Sequence, residues 1–299
     1  MADNRLQVRL KSHWTDRVET ELAVFSRDIP AERADALLCE WAPDDELFSF
    51  PRRKAWYCCE PACQFRGISN GRWPELRSRL GPHEFLWHGH PDPRYRVPHS
   101  THYQPLEMNQ NTDRMQKAVA IVSNYGGNPW TRHSDIHYRN RLITLPQVDL
   151  YGRSNWKRYR RNWISRPRAP DNYRGELPGD WPGEEKRRLM SRYKVCLCLE
   201  NMNEPGYFTE KFVEAVVAGC IPVYRASADI RDTVLQGAVW FDPGDSRWPG
   251  KQALQAALDA DMMTCNSQNL AWLTTSRDLA ATHSSSVYRR LSEILALDQ

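Results

Sequence analysis

The stretch from Tyr193 to Tyr224 constrains the fold of this chain more than any other. YKVCLCL, Tyr193 to Leu199, is an apolar run of strand length. TEKFVEAVVA, Thr209 to Ala218, spaces its apolar residues as a helix does and turns Phe212, Val213, Ala215 and Val216 toward a core. Gly219 can close that helix, and Ile221-Pro222-Val223-Tyr224 begins another strand. The helix carries the chain back along the sheet, so the two strands run parallel. An α/β architecture with a parallel sheet follows.

Other segments fit that scheme. Leu6 to Leu10, Thr20 to Phe25, Ala34 to Cys39 and Ala55 to Cys59 read as short elements or strands, and Ala118 to Val122 and Val148 to Gly152 as two further strands. Gly81 to Tyr103, rich in histidine, proline and aromatic residues, reads as loops and short strands. Ile136, Leu142 and Leu145 suggest a broken helix, and two more helices are expected near Gln252 to Met263 and Ser286 to Leu297. A new unit starts at Gln116, which gives an N-terminal domain at 1–115 and a C-terminal domain at 116–299. The last helix could pack back on the first domain. With 299 residues, 40% of them hydrophobic, the chain can build one large core or two modest ones.

Chemistry concentrates in ENMNEPGYFTEK, Glu200 to Lys211, between a strand and a helix. The unpaired N–H groups and the dipole of a helix amino terminus favour a phosphorylated ligand there. Lys211 could face a diphosphate, and Glu210 could accept hydrogen bonds from hydroxyl groups. Ordinary capping explains the same residues, with Thr209 as the cap and Glu210 as a first-turn charge. No GxGxxG or GxxxxGK[ST] pattern stands in a fitting context, and HExxH is absent. Cys58, Cys59 and Cys63 with His83, His88 and His90 could be drawn as a zinc site. However, adjacent Cys58 and Cys59 point to opposite sides of a strand, so no metal site is expected. Cys196 and Cys198, in an apolar run, read as buried free thiols.

The net charge is +4, and 156–168 lies in a basic and aromatic stretch that suits a solvated loop, an anionic ligand or a peripheral membrane contact. No nucleic-acid-binding fold accompanies it, so no nucleic-acid partner is expected. The twelve tryptophans, twelve tyrosines and eight phenylalanines suit a carbohydrate-facing cleft, although cores and domain contacts account for most of them. The opening MADNRLQVRLKSHWTDRVETELAVF lacks an apolar leader, which places the protein in the compartment where it is made unless an anchor was removed.

YKVCLCLENMNEPGYFTEKFVEAVVAGCIPVYRA, Tyr193 to Ala226, resembles the signature of the α-1,3/4-fucosyltransferase family: YKF-x-L-x-FEN, GY-x-TEK, a helix, then AG-x-(V/I)PVY. Ser123-Asn124 followed by VDLYGR, and GAVWFDPGD near Gly237, are similar to further pieces of that family in the same order. Together they cover most of 118–245. The resemblance implies the GT-B fold, two facing Rossmann-like domains, with GDP-fucose held by the C-terminal domain and the acceptor site shaped by the N-terminal one.

By the same resemblance, Glu210 and Lys211 hold the donor's ribose and phosphates, Asn201 and Tyr207 line its pocket, and Ser123 and Asn124 approach it from the first loop. Arg132 is the nearest candidate for the phosphate-contacting arginine, with Arg139 and Arg141 as alternatives. WYCCEPACQF resembles the strand and loop around the family's ESP, which makes Glu60 the catalytic base, with Glu84 and Glu107 in reserve.

The implied reaction is an inverting transfer of fucose from GDP-fucose to a glycan hydroxyl, N-acetylglucosamine in α-1,3 linkage, without a metal or other cofactor. A GT-B enzyme using another nucleotide sugar such as GDP-mannose, or an inactive glycan- or nucleotide-binding homologue, is the alternative. The family usually has glycine where Ala226 stands. A bacterial member would be cytoplasmic or peripheral to a membrane; a trimmed eukaryotic catalytic domain would work in the Golgi lumen.

Overall fold

The computed structural model describes residues 4–60, 62–69, 71–101, 108–123, 136–154, 169–177, 183–244 and 247–297. The chain forms two compact units, one from residues 1–102, 205–207 and 280–299 and the other from 103–204 and 208–279.

The first unit contains β1 (Leu6–Lys11), β2 (Arg17–Glu19), β3 (Ala23–Ser26), β4 (Ala36–Glu40), β5 (Arg53–Tyr57) and β6 (Phe85–Leu86). Short helices α1 (Asp45–Ser49), α2 (Phe65–Ile68) and α3 (Trp73–Arg79) lie between these strands in sequence. The sheet order is β2-β3-β1-β4-β5-β6, parallel except for β2 against β3. The chain starts in the interior of the sheet at β1, adds strands on one side, then crosses to β4 on the other. The order therefore reverses between β1 and β4.

The second unit is built on β7 (Met115–Val122), β8 (Val148–Gly152), β9 (Tyr173–Gly175), β10 (Tyr193–Leu197) and β11 (Ile221–Val223). They form an all-parallel sheet in the order β11-β10-β7-β8-β9. Here the order reverses between β7 and β10. Helices α4 (Ile136–Leu142), α5 (Glu184–Met190), α6 (Glu210–Val217), α7 (Ala228–Asp232), α8 (Arg247–Asp259) and α9 (Met262–Thr275) complete the unit. Two apolar clusters form its core. One centres on Phe208, Phe212 and Tyr224, and the other on Val148, Leu150, Val195, Ile221 and Leu254. Both draw on the strands whose continuous apolar runs require cover on each face.

α10 (Arg277–Ala281) returns the chain to the first unit, where α11 (Ser284–Ala296) lays Val287, Leu291, Ile294 and Leu295 against Val8, Leu10, Ala36 and Leu38. The segment before β7 belongs to the second unit because Met108 enters its core and Arg114 is anchored there. The Arg114 guanidinium donates to the carbonyls of Tyr193 at 3.2 Å and Ala218 at 2.8 Å, and to Asn109 O at 3.1 Å. A Cβ on Gly219, at φ 75°, would lie 2.1 Å from Asn109 O, so the residue that closes α6 also admits this segment.

The single helix expected near Gln252 to Met263 is instead two. α8 ends at Asp259, and Asp261 leaves helical geometry to accept the Thr264 N–H at 2.9 Å and cap α9. Cys196 and Cys198 are buried free thiols. No helix among the described residues is long and apolar enough to cross a membrane.

Asp149 on β8 is 5% exposed and lies 3.2 Å from Lys117 Nζ and 2.9 Å from Arg174 Nε; it also accepts the Tyr193 hydroxyl at 3.2 Å. Burial works against its charge, but the two cations outweigh it and hold the carboxyl below its ordinary value. A lowered folded-state pKa stabilises above the unfolded value of 3.8, and this contribution is lost as pH falls through the folded value. Asp149→Asn is therefore expected to cost about 1–2 kcal/mol at neutral pH. In denaturant titrations the difference from the parent should shrink as pH falls below 3.8 and through the folded-state value.

Gly152 ends β8 at φ 126°, and a Cβ there would lie 1.9 Å from Val122 O. Gly152→Ala should lower stability by about 3 kcal/mol or more, read as a fall in Tm, because the strand pair must part to relieve the clash.

Candidate functional site

β10 delivers its last residues to a carboxylate. Glu200, three residues beyond the strand, is 2% exposed, and its Oε1 accepts the Thr209 N–H at 3.1 Å, the Thr209 hydroxyl at 2.6 Å and the Tyr224 hydroxyl at 3.2 Å. Its Oε2 faces Lys211 Nζ at 3.0 Å. A charge this deep persists only when paired and hydrogen-bonded, and here both conditions are met. Thr209 is also the N-cap of α6, accepting from the Lys211 N–H at 3.4 Å and from Lys211 Nζ at 3.0 Å. Capping and site construction thus use the same residues.

Burial disfavours the charge on Lys211, but Glu200 and Glu210 overcome it and keep the amine protonated well above the usual lysine range. Arg139 on α4 is 3% exposed and its guanidinium donates to Asn201 Oδ1. Lys186 on α5, 4% exposed, pairs with Glu214 of α6. Burial pushes the Glu214 carboxyl up, with Lys186 opposing.

Arg139, Lys186, Lys211 and Glu214 line one crevice together with Ile121, Val122, Met190 and Cys196 to Leu199. Its walls are the carboxyl ends of β7 and β10, where the strand order reverses. Ligands of open α/β sheets bind at such a point. Three cations, Arg139, Lys186 and Lys211, converge there beside the amino terminus of α6. The arrangement suits a diphosphate, because fixed positive charge and helix N–H groups act together on an anion. Among the described residues no group of three or more histidine, cysteine, aspartate or glutamate side chains could hold a metal ion.

The structure brings Asn201, Glu210 and Lys211 to this place. Ser123 is exposed directly after β7. Tyr207 groups with the first unit, where its ring packs 5.3 Å from His88 and 5.8 Å from His99. Glu60 is half-buried, three residues beyond β5, also in the first unit. Asn124, Arg132, Glu107 and 156–168 lie outside the described residues. Of the three arginines considered for a phosphate, Arg139 reaches the crevice, whereas Arg141 is exposed and lies 6.0 Å from the Tyr138 ring centroid. Sequence reasoning missed Glu200 and Lys186. Glu200 carried a readable signal, as a lone carboxylate at the end of a seven-residue apolar run that burial would force to find a cation.

Several known proteins share features with this chain. A solved α1,3-fucosyltransferase with GDP aligns over 100% of this chain and 93% of its own, at 14% identity and a TM-score of 0.52. The DNA-modifying enzyme β-glucosyltransferase aligns over 89% of this chain and 76% of its own, at 10% identity and a TM-score of 0.53. The fold is GT-B, with a Rossmann-like sheet in each unit.

In sequence, α-(1,3)-fucosyltransferase B of Drosophila melanogaster is 33% identical over 63 residues, 21% of this chain and 14% of that protein. A putative fucosyltransferase-like protein of Arabidopsis thaliana is 42% identical over 48 residues, 16% of this chain and 9% of that protein. The chain thus matches only a small part of these relatives' lengths. Residues 111–239 match the C-terminal domain of glycosyltransferase family 10 (fucosyltransferase), and over that stretch the chain is similar to members of that family.

Proposed function

We propose that this protein transfers fucose from GDP-fucose to a glycan hydroxyl with inversion at the anomeric carbon. N-acetylglucosamine in α-1,3 linkage is the acceptor the family resemblance favours. The observation that carries the reading is the convergence of Arg139, Lys186 and Lys211 at the β7/β10 crevice, beside the capped start of α6. A nucleoside diphosphate fits that charge, and the match of residues 111–239 supports fucose as the sugar.

In this reading the acceptor oxygen attacks C1 of fucose on the face opposite GDP. The C1–O bond to the diphosphate breaks, GDP departs with the bonding pair, and Glu60 takes the acceptor hydroxyl's proton. Negative charge grows on the leaving diphosphate as the sugar gains oxocarbenium character. Lys211, Arg139 and the N–H groups at α6 stabilise that charge where it develops, which lowers the barrier more than equal binding of the ground state would. Cations of this kind can do the work of a divalent metal, so the reaction is proposed to be metal-independent.

GDP release from GDP-fucose by the purified protein, measured against a panel of N-acetylglucosamine- and galactose-containing glycans, tests the reading. Acceptor-dependent release that persists in excess chelator is expected. Faster turnover of GDP-mannose, or no release together with no GDP binding in calorimetry, would overturn it.

Two variants divide the roles. Lys211→Met should raise the GDP Kd by roughly 10- to 100-fold, the worth of a charge-assisted hydrogen bond of about 1.5–3 kcal/mol. An unchanged Kd would remove Lys211 from the phosphate site. Glu60→Gln should slow transfer by about 10²–10⁴ while GDP affinity stays within roughly twofold, as for loss of a general base. Undiminished transfer would exclude Glu60 from that role.

A further inference from the structure

The first unit has its own topological reversal, between β1 and β4, and a cleft lies there. Trp14 and Thr15 follow β1, and Glu40 and Trp41 stand at the end of β4 and just beyond it; all four line the cleft. Tyr57, paired with Glu40 across β4 and β5, forms part of the wall with Cys59, Ser100, Val287 and Tyr288. This is the same position in the fold as the cation-lined crevice of the second unit, but its chemistry differs. Four of the nine lining side chains are Trp or Tyr, one is a carboxylate, and no lysine or arginine is among them.

We propose that this cleft is a subsite for a neutral pyranose of the acceptor, in which Trp14 stacks on the sugar's apolar face and Glu40 accepts one of its hydroxyls. The proposal rests on the glycosyltransferase reading above and adds the residues and the sugar chemistry on the acceptor side. Four observations support it. First, ligands of open α/β sheets bind beyond the strand ends at such a reversal. Second, Trp14 is 69% exposed, an unusual state for so large an apolar ring and one that leaves a flat face free to stack.

Third, Glu40 is fixed rather than mobile. Tyr288 donates its hydroxyl to Glu40 Oε1 at 2.9 Å, while Tyr57 spends its own on Pro98 O at 2.7 Å. Burial pushes the Glu40 carboxyl up; hydrogen bonds from the Ser12 and Tyr288 side chains and the charge of Arg27 pull against it. Fourth, Trp41, next to Glu40, has φ 72°, the one non-glycine residue in left-handed geometry among those described. A bulky side chain costs about 1–2 kcal/mol there. Its carbonyl is held by the Trp56 indole N–H at 2.6 Å, so the core of the unit sustains the turn that ends β4 at the cleft.

The lining also restricts the ligand. A carboxylate without a lining cation disfavours sialylated or sulfated sugars, while aromatic walls and one strong acceptor suit a hexose or N-acetylhexosamine.

The test uses the full chain without donor, titrated with N-acetyllactosamine and its 3′-sialylated form by saturation-transfer NMR and calorimetry. N-acetyllactosamine should bind, with the sialylated form weaker by fivefold or more. Trp14→Ala and Glu40→Gln should each weaken N-acetyllactosamine binding by at least fivefold and leave the GDP Kd within twofold. Trp14 is exposed and Glu40→Gln is nearly isosteric, so both variants should fold, and the GDP Kd reports whether the second unit is intact. Equal saccharide binding by parent and variants, preference for the sialylated form, or no saccharide binding by the parent would each overturn the proposal. Variant-sensitive saccharide binding by a protein that releases no GDP from GDP-fucose would support the subsite while removing the fucosyl-transfer reading.

Discussion

The second unit depends on the buried carboxylate of Glu200. Its two oxygens join the end of β10, the first residues of α6, the hydroxyl beyond β11 and the amine of Lys211. Strand, helix and following strand are each held by backbone bonds and packing, but this single anion fixes their mutual register where a ligand would enter. Removing one partner from such a pair usually costs about 3–5 kcal/mol, because the other charge is left buried and alone. The ion pair also keeps Lys211 charged in surroundings that would otherwise discharge it. Structural support and electrostatic function are therefore not separable at this position.

The two sheets share a plan and differ in what stands at its reversal. At β7/β10 three cations and Glu214 stand in an otherwise apolar lining; at β1/β4 four Trp and Tyr side chains stand with one carboxylate and no cation. Strand order determines where each crevice forms, and the residues just beyond the strand ends determine what it can bind. The residues beyond the strand ends differ while the sheets stay alike.

Much of this was legible in the chain. The apolar runs at Ala118 to Val122, Val148 to Gly152 and Tyr193 to Leu199 are strands because buried parallel strands need apolar residues on both faces. Gly219 reads as a helix end because few other residues tolerate left-handed geometry. α9 was not legible, since its buried face carries polar residues. Asn269, fully buried, accepts the Val239 N–H at 2.7 Å and donates to Val239 O at 3.1 Å, and Asn266 donates to Gly219 O at 3.2 Å. The two amides interrupt the apolar stripe of Met262, Cys265, Trp272 and Leu273, which blurs the periodicity that would mark a helix. In the site, Asn201 and Lys211 were legible through their motif, but the company of Arg139, Lys186 and Glu200 is set by contacts between residues far apart in sequence.

The path of the chain also sets an order of assembly. Every named element of the second unit's sheet lies in one continuous stretch before residue 280, whereas the first unit's core is finished by Val287, Leu291, Ile294 and Leu295 of α11. A ribosome therefore releases the six-stranded sheet early, yet that sheet must wait with an uncovered apolar face until the final helix emerges. Synthesis from the amino end normally favours completion of the first domain first. In this protein the earlier unit's apolar face is covered only by residues made after α9, so completion of the first sheet follows synthesis of the second unit.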